Sequence, residues 1–406
     1  MNIIHTADWH LGQTFFGYER IKEHKKFLAW LKQTLSRKSA DLLLISGDVF
    51  DNPNPSAEAQ KMFYRFLKEV TDTSPEIQII IISGNHDSAA RLEAPNPLLE
   101  EMNITVRGII KYSNKEIDYE HFIIPVKNKK DKTTVWCMAI PYLRQGDYPV
   151  LKTDEECTYA TGVKNMYKNI FDKINARKEK KDTIIAMGHL QATGSEISDN
   201  DRSERAVIGG LECISPDTFD TGIAYTALGH LHKAQRVSKR ENVRYSGSPL
   251  PMSFAEKNYK HGVTYIEIDN GTAARIEHIE FDAPAKFISI PQKPKRLPEV
   301  LKELKQLPEG EITEYSPYLE VNVLITDPEP SMKFQIEEIL RNKSVRLARI
   351  GSNTVSSQSK DTVFYRDLHS LNPITLAQEV YKKQYNTEMT DELTALLSQI
   401  IEEVQE

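Results

Sequence analysis

Five apolar runs of strand length in this 406-residue chain each break off at a residue type that binds metals. Ile3-Ile4-His5-Thr6-Ala7 leads into Asp8-Trp9-His10, and Leu42-Leu43-Leu44-Ile45-Ser46 into Gly47-Asp48. Ile79-Ile80-Ile81-Ile82-Ser83 leads into Gly84-Asn85-His86-Asp87, and Thr183-Ile184-Ile185-Ala186-Met187 into Gly188-His189. Ile223-Ala224-Tyr225-Thr226-Ala227-Leu228 leads into Gly229-His230-Leu231-His232. Open α/β sheets gather their ligands outside the carboxyl ends of the strands, so five such ends can converge on one crevice. They would bring carboxylates, imidazoles and one carboxamide, a set suited to two divalent metal ions.

The spacing between these runs predicts the elements that join them. A helix near 19–37 carries Ile21, His24, Phe27, Leu28, Leu31 and Leu35 at helical spacing. After strand 41–46 and the Asn52-Pro53-Asn54-Pro55 loop, Ser56 is the expected N-cap of a helix over 57–71, and strand 77–82 follows. These βαβ units imply a stretch of parallel sheet. The middle is richer in strands, at 104–110, 121–126 and 133–139, then a helix from Tyr159 to Ala176. Lys127–Lys132 reads as a solvated hairpin tip, with DNA contact the lesser alternative. Gln191–Gly210 lacks apolar periodicity and is expected to be a long, substrate-facing loop. Strands near 234–238, 243–246, 262–268 and 275–281 complete the first domain.

A cluster of Pro284, Pro291 and Pro294 marks a boundary. We expect a domain over 1–282, a small α+β domain over 283–372 (strand 286–290, helix 297–306, strand 317–324, helix 331–342, strand 345–350) and C-terminal helices over 373–406. The last of these, 390–404, places Leu393, Leu396, Leu397, Ile400, Ile401 and Val404 on one stripe. That stripe either packs on its own domain or docks a partner helix.

Composition narrows the setting. Hydrophobic residues at 39% and charged residues at 27% describe a globular chain with an ample core. The net charge of −6 gives no support to a nucleic-acid partner, though a local basic face can sit on an acidic protein. Cys137, Cys157 and Cys213 lack zinc-like spacing and read as incidental thiols in a reducing compartment. No run approaches a membrane span, and Met1-Asn2-Ile3-Ile4 already reads as the first strand. Both points suggest a cytoplasmic protein without a signal peptide.

Among the motifs, Asp8-x-His10 and Gly188-His189 are weak alone and Gly47-Asp48-Val49-Phe50-Asp51 is modest. Gly84-Asn85-His86-Asp87 arises by chance in roughly one of several hundred chains of this length, and Gly229-His230-Leu231-His232 in about one of fifty. Asp48 is placed to bridge two cations. The single residue between His230 and His232 lets both rings point to one side of an extended segment.

In this order, the motifs resemble those of the calcineurin-like metallophosphoesterases. Ala7–Gly12, Ser46–Asp51, Gly194–Asp199, Ala227–His232 and Arg244-Tyr245-Ser246-Gly247-Ser248-Pro249-Leu250 sharpen the likeness to the SbcD family of bacterial nuclease subunits. The match covers at least residues 1–256. The resemblance implies a four-layer αββα sandwich with an α+β capping domain and C-terminal helices. It implies one metal held by Asp8, His10, Asp48 and His232, and a second by Asp48, Asn85, His189 and His230. Manganese is the family's usual activating ion; the ligand set by itself also admits iron or zinc. His86 would be the general acid, or the transition-state stabiliser, at the departing 3′ oxygen, with Asp87 orienting its ring. The nucleophile would be a bridging hydroxide. Asp51 stands where archaeal and eukaryotic relatives tend to have His, so it is expected behind the ligands rather than in catalysis.

The activity so implied is a DNA nuclease, exonucleolytic on duplex ends and endonucleolytic on single strands or hairpins. It would act in DNA repair and recombination with an SbcC-type ATPase. The C-terminal helices would hold that partner, within a heterotetramer built on a homodimer whose contacts could include helices near 57–71 and 91–101. A small-molecule phosphoesterase and a scaffold with a degenerate site are the competing readings. The C-terminal domains and the Arg244–Leu250 motif weigh against the first, and the full set of seven ligand-type residues against the second. Trp9, Phe50 and His5 are expected to pack. Arg91, Arg202 and Arg205 are surface residues or phosphate contacts.

Overall fold

A computed structural model of the chain describes residues 1–128, 132–149, 158–195, 213–325 and 330–354, and positions 381, 389–390 and 393–394. Met1–Thr354 forms one compact unit and Val355–Glu406 a second. The helices expected at 374–384 and 390–404, most of the 191–210 loop, Cys157, Arg202 and Arg205 lie outside the described residues.

The elements run in chain order as β1 (Asn2–Thr6), a small hairpin β2 (Thr14–Phe15) and β3 (Tyr18–Glu19), α1 (Ile21–Arg37), β4 (Leu42–Ser46), α2 (Ala57–Thr73) and β5 (Gln78–Ile82). Then come α3 (Ala89–Glu93), α4 (Asn96–Leu99), β6 (Ile104–Arg107), a second hairpin β7 (Tyr112–Ser113) and β8 (Glu116–Ile117), β9 (Ile123–Lys127), β10 (Thr134–Ala139) and α5 (Tyr159–Asn175). They continue with β11 (Thr183–His189), β12 (Ile223–Gly229), β13 (Gln235–Val237), β14 (Arg240–Tyr245), β15 (Gly262–Asp269) and β16 (Thr272–Glu280). The final group is β17 (Phe287–Lys295), α6 (Leu297–Lys305), β18 (Tyr318–Ile325), α7 (Met332–Leu340) and β19 (Arg346–Thr354).

Two six-stranded sheets hold the larger part, in the orders β16-β15-β1-β4-β5-β6 and β13-β14-β12-β11-β10-β9. In the first, β1, β4, β5 and β6 are parallel and β15 and β16 close one edge antiparallel. In the second, β10, β11, β12 and β14 are parallel, flanked by antiparallel β9 and β13. Successive side chains of a strand face opposite ways, and that alternation sorts the core into layers. Ile3, Leu42, Leu44, Ile80 and Ile82 face Val135, Cys137, Ile185, Met187, Tyr225 and Ala227 between the sheets. Ile4, Leu43, Ile45, Ile79 and Ile81 turn outward under Phe27, Leu31, Phe63, Phe66 and Leu67 of α1 and α2. Ile184 and Ala186 turn the other way, beneath Val163, Met166, Tyr167 and Ile170 of α5. The result is helix, sheet, sheet, helix, the αββα order that the family resemblance implied.

Local signals explain most boundaries. Ser56 caps α2, its hydroxyl accepting the Ala59 N–H at 3.2 Å. The single helix expected near 91–101 is instead α3, α4 and a 3-10 turn at Glu100–Met102. Pro95 and Pro97 lack the N–H a continuous helix needs there. The apolar stripe of α2 is spent on the core, whereas Leu98 of α4 is 76% exposed.

Beyond Phe281, β17, β18 and β19 pair in parallel, and α6 and α7 cover them through Val300, Leu304, Ile336 and Leu340. An aromatic cluster of Phe15, Phe254, Phe287 and Tyr318 joins this sheet to the β2–β3 hairpin. Buried Arg20 and Glu23 lie among these rings, bonded to each other at 3.0 Å. The Tyr318 hydroxyl donates to Glu23 at 2.6 Å, and Arg346 approaches the same carboxylate at 3.9 Å. Among the described residues no helix is long and apolar enough to cross a membrane.

Candidate metal centre

The carboxyl ends of β1, β4 and β5 from one sheet meet those of β11 and β12 from the other. The approach is close because backbone, not side chain, lies at the contact. A Cβ on Gly229 would stand 1.9 Å from the Ser46 carbonyl oxygen, and one on Gly47 would stand 2.3 Å from His189 Nδ1. The chain then turns sharply at the residues that carry the chemistry. Asp8, His10, Asp48 and His230 have φ of 56°, 46°, 50° and 105°. Non-glycine residues in this region cost about 1–3 kcal/mol each, and such strain concentrates at functional sites.

Asp48 sits at the middle. Its Oδ1 accepts the His86 backbone N–H at 2.8 Å, while Oδ2 lies 3.7 Å from His10 Nε2 and 3.3 Å from His189 Nε2. One carboxylate oxygen is thus flanked by an imidazole from each sheet. On one side, donor atoms of Asp8, His10 and His232 fall within 4.8 Å of one another. On the other, Asn85 Oδ1 lies 2.9 Å from His189 Nε2 and 3.1 Å from His230 Nδ1. All seven residues singled out as ligands, Asp8, His10, Asp48, Asn85, His189, His230 and His232, therefore share one cleft.

The donor set can be tested against a divalent cation. Asp8 Oδ2 and both ring nitrogens of His10 are buried without a hydrogen-bond partner. Each such atom costs about 1–3 kcal/mol if nothing satisfies it. Carboxylate oxygens, imidazole nitrogens and an amide oxygen at these separations are the ligands of a mixed oxygen–nitrogen metal site, so the residues fit the group. The electrostatics differ between the two rings on this side. Burial lowers His230 to about 3, helped by His189, so its ring is neutral and able to ligate. Burial would also lower His189, but the Asp48 carboxylate beside it prevails and raises it to about 9. For Asp48, burial pushes up, and His189, His10 and His86 together pull it well below the usual carboxylate range.

His86 stands at the rim, half-buried, its ring edge-on to His10 with centroids 4.8 Å apart. Its Nδ1 lies 2.9 Å from the Asp51 backbone carbonyl, which accepts from it. The expectation that Asp87 orients this ring is corrected. The Asp87 carboxylate instead accepts the backbone N–H groups of Val49, Phe50 and Gly84 at 3.2, 3.0 and 2.9 Å. It ties the β4 loop to the β5 loop, and burial followed by the nearby Asp48 charge raises it to about 6. Asp51 contributes that carbonyl, and its side chain lies 3.4 Å from His10 Nδ1. Trp9 and Phe50 pack as expected. Trp9 is fully buried, donates to Thr6 Oγ1 at 2.8 Å and meets Phe27 and Phe66 edge to face, while Phe50 meets Phe63. His5 is core, with Nδ1 3.0 Å from the Tyr225 hydroxyl. Arg91 reaches Asn54.

Two groups behind the ligands, a backbone carbonyl and a carboxylate, had no local signal that pointed here. The Ser46 carbonyl lies 2.9 Å from His189 Nδ1, and Glu256 Oε1 lies 3.2 Å from His232 Nδ1. Glu256 is wholly buried, and Ser253-x-x-Glu256 reads in sequence only as a helix start. The Arg244–Leu250 motif props both sides: the Tyr245 hydroxyl donates to the Leu190 carbonyl at 2.8 Å, and the Ser248 N–H donates to the His232 carbonyl at 3.0 Å. Gly247, at φ 73°, passes so close that a Cβ would lie 2.7 Å from that same His232 oxygen.

Residues 1–234 match the model of the calcineurin-like phosphoesterase family, and residues 284–385 match the SbcD C-terminal model, described as type 5 capsule protein repressor C-terminal domain. The chain is 38% identical over 311 residues to the SbcD subunit of the SbcCD nuclease of Rhodobacter capsulatus, covering 76% of each. It is 32% identical to the SbcD subunit of the Escherichia coli K12 nuclease, over 69% of this chain and 68% of that protein. With the Bacillus subtilis protein of the same name it shares 31% identity over 69% of each. Fold, clustered His and Asp residues and these similarities agree: the chain belongs to the calcineurin-like phosphoesterase family and, within it, to the SbcD nuclease subunits.

Proposed function

We propose that this chain hydrolyses DNA phosphodiester bonds, on duplex ends and on single strands or hairpins, as the nuclease subunit of a complex with an SbcC-type ATPase. The observation that carries this reading is Asp48 Oδ2 lying between His10 and His189, with Asp8 and His232 on one side and Asn85 and His230 on the other. Asp8, His10, Asp48 and His232 would hold one divalent cation, and Asp48, Asn85, His189 and His230 the other. The oxygen and nitrogen donors suit manganese. The chemistry two such cations supply is Lewis acidity toward phosphate oxygens and a lowered pKa for water.

The chain's own residues do the rest. The strained turns at Asp8, Asp48 and His230 fix the donors before substrate arrives. The Ser46 carbonyl and Glu256 hold the His189 and His232 rings. His86 gives its Nδ1–H to the Asp51 carbonyl, which leaves Nε2 on the side away from that anchor. There it can hold a proton, or a hydrogen bond, for the departing 3′ oxygen. Asp87 keeps the His86 loop against the Asp48 loop. Residues 1–282 would form the nuclease domain and 283–372 the capping domain. Residues 373–406 would carry the helices that hold the ATPase, in a heterotetramer assembled on a homodimer.

The test is cleavage of end-labelled duplex DNA by purified protein with Mn2+, alongside His86→Gln and a chromogenic phosphodiester. Loss of a general acid costs about 10²–10⁴-fold in rate, so His86→Gln should fall by that much at unchanged metal content. Hydrolysis of the small diester with DNA left intact, both alone and with the ATPase partner, would sink the DNA reading while leaving the metal centre in place.

A further inference from the structure

We propose that Glu256 is a positioning residue of the metal centre. It accepts the Nδ1–H of His232 and thereby fixes the tautomer and ring plane in which Nε2 faces Asp8 and His10. The inference rests on the metal-centre reading above.

An imidazole has two neutral tautomers, and the one present is set by the hydrogen bond its other nitrogen makes. At His232 that partner is a carboxylate: Glu256 Oε1, 3.2 Å from Nδ1. The ring and that of His10 meet edge to face with centroids 5.3 Å apart, and a His232 ring nitrogen lies within 4.8 Å of donor atoms of Asp8 and His10; with Nδ1 on Glu256, Nε2 is the nitrogen left for that group. The carboxylate is held from several sides. Oε2 accepts the Met252 N–H at 2.8 Å, the Ser253 hydroxyl donates to Oε1 at 3.2 Å, and His261 Nε2 lies 3.1 Å from the Glu256 carbonyl.

A purely local role would not account for this side chain. The Met252 bond to Oε2 and the Ser253 bond to Oε1 suffice to close the turn over Met252–Glu256; the further contact of Oε1 with the ligand ring reaches outside it. Burying a carboxylate costs several kcal/mol, more than a turn needs when a serine or asparagine would serve. His189 and His86 lean on neutral acceptors, the Ser46 and Asp51 carbonyls, and His10 Nδ1 lies 3.4 Å from the Asp51 carboxylate. A carboxylate behind a ligating histidine fixes orientation and also makes the ring a stronger donor. The anchor reaches farther still, because Arg20 donates to the Pro251 carbonyl at 2.7 Å and Phe254 stacks among Phe15 and Phe287. The turn that carries Glu256 is thus pinned to the junction with the β17–β19 sheet.

The experiment is Mn2+ titration by calorimetry on the full-length wild type, Glu256→Gln, His232→Ala and the double variant. The wild type should take up two ions. Glu256→Gln should weaken one of them about 10–100-fold, the range for removing such an outer partner, and leave the other within a factor of about three. In the His232→Ala background the same substitution should add less than about threefold. Unchanged affinity at both ions, an equal loss at both, or a full further loss without His232 would each overturn the proposal. A second measurement covers a variant that does not fold. In wild type labelled with 15N at histidine, His232 should show a protonated Nδ1 at about pH 8, where an ordinary imidazole is neutral; the opposite tautomer would overturn the proposal. If the wild type takes up no Mn2+, the metal-centre reading fails instead, and the tautomer measurement still decides what Glu256 does.

Discussion

Gly229 is where the two sheets touch, and replacing it with alanine is the sharpest test of how the site is assembled. The added Cβ would lie 1.9 Å from the Ser46 carbonyl oxygen, 2.9 Å from Ala7 Cβ and 2.9 Å from His189 Nδ1. Real Cβ atoms essentially never approach closer than 3.0 Å, so the end of β12 must move away from β4 by at least about 1 Å. The nearest obstacle is backbone and cannot rotate aside. Overpacking of this kind costs about 1–3 kcal/mol or more. Spread over the 354 residues of the larger unit, it should lower Tm by about 1–4 °C. The functional effect should be larger than the thermal one. The shift separates His230 and His232 from Asp8, Asp48 and Asn85, and a misplacement of about 1 Å costs on the order of 100-fold in rate. The assay is differential scanning fluorimetry with and without Mn2+, followed by DNA cleavage. Wild-type protein should gain about 2.7 kcal/mol for each ion bound at 100 times its Kd, and Gly229→Ala should lose most of that gain. If Gly229→Ala melts with the wild type and keeps its response to Mn2+, the two sheets do not set the ligand spacing.

Three further outcomes follow from the same geometry. His189 keeps its proton to about 9 beside Asp48, and a ligating nitrogen must give that proton up. Mn2+ affinity should therefore strengthen as pH rises from about 6 to 8, by about tenfold per unit for one proton displaced, and a flat profile would contradict the pairing. Glu23→Gln removes the charge that holds buried Arg20 and Arg346, and should cost about 3–5 kcal/mol in urea unfolding; a loss under about 1 kcal/mol would mean those charges are paired elsewhere. Deleting the residues after Asn372 should abolish co-purification with the ATPase partner while sparing cleavage of short single strands, and retained binding would remove the docking role from that segment.

The divide between local and tertiary information runs through particular residues. Continuous apolar runs of strand length, glycine turns and the Ser56 cap are properties of neighbours in the chain, so strands, helices and the residues at their ends could be read directly. So could the seven ligand-type residues, since they cluster at the ends of five strands. Proline chemistry between Pro95 and Pro97 was also in the sequence, and it broke a helix that apolar content alone had suggested. Which strand ends meet was a different matter. A buried run looks the same whether its neighbour is in its own sheet or the opposite one, and only the packing of Ile3, Leu42 and Ile80 onto Ile185, Met187 and Tyr225 brought β1, β4 and β5 against β11 and β12. The groups behind the ligands were likewise decided in three dimensions. Asp87 adjoins His86 in sequence yet binds the backbone of the neighbouring loop, while His86 takes its partner from Asp51 and His232 takes Glu256. A side chain's type says which hydrogen bonds it can make. The fold alone says which donor it meets, because that depends on backbone positions many residues away.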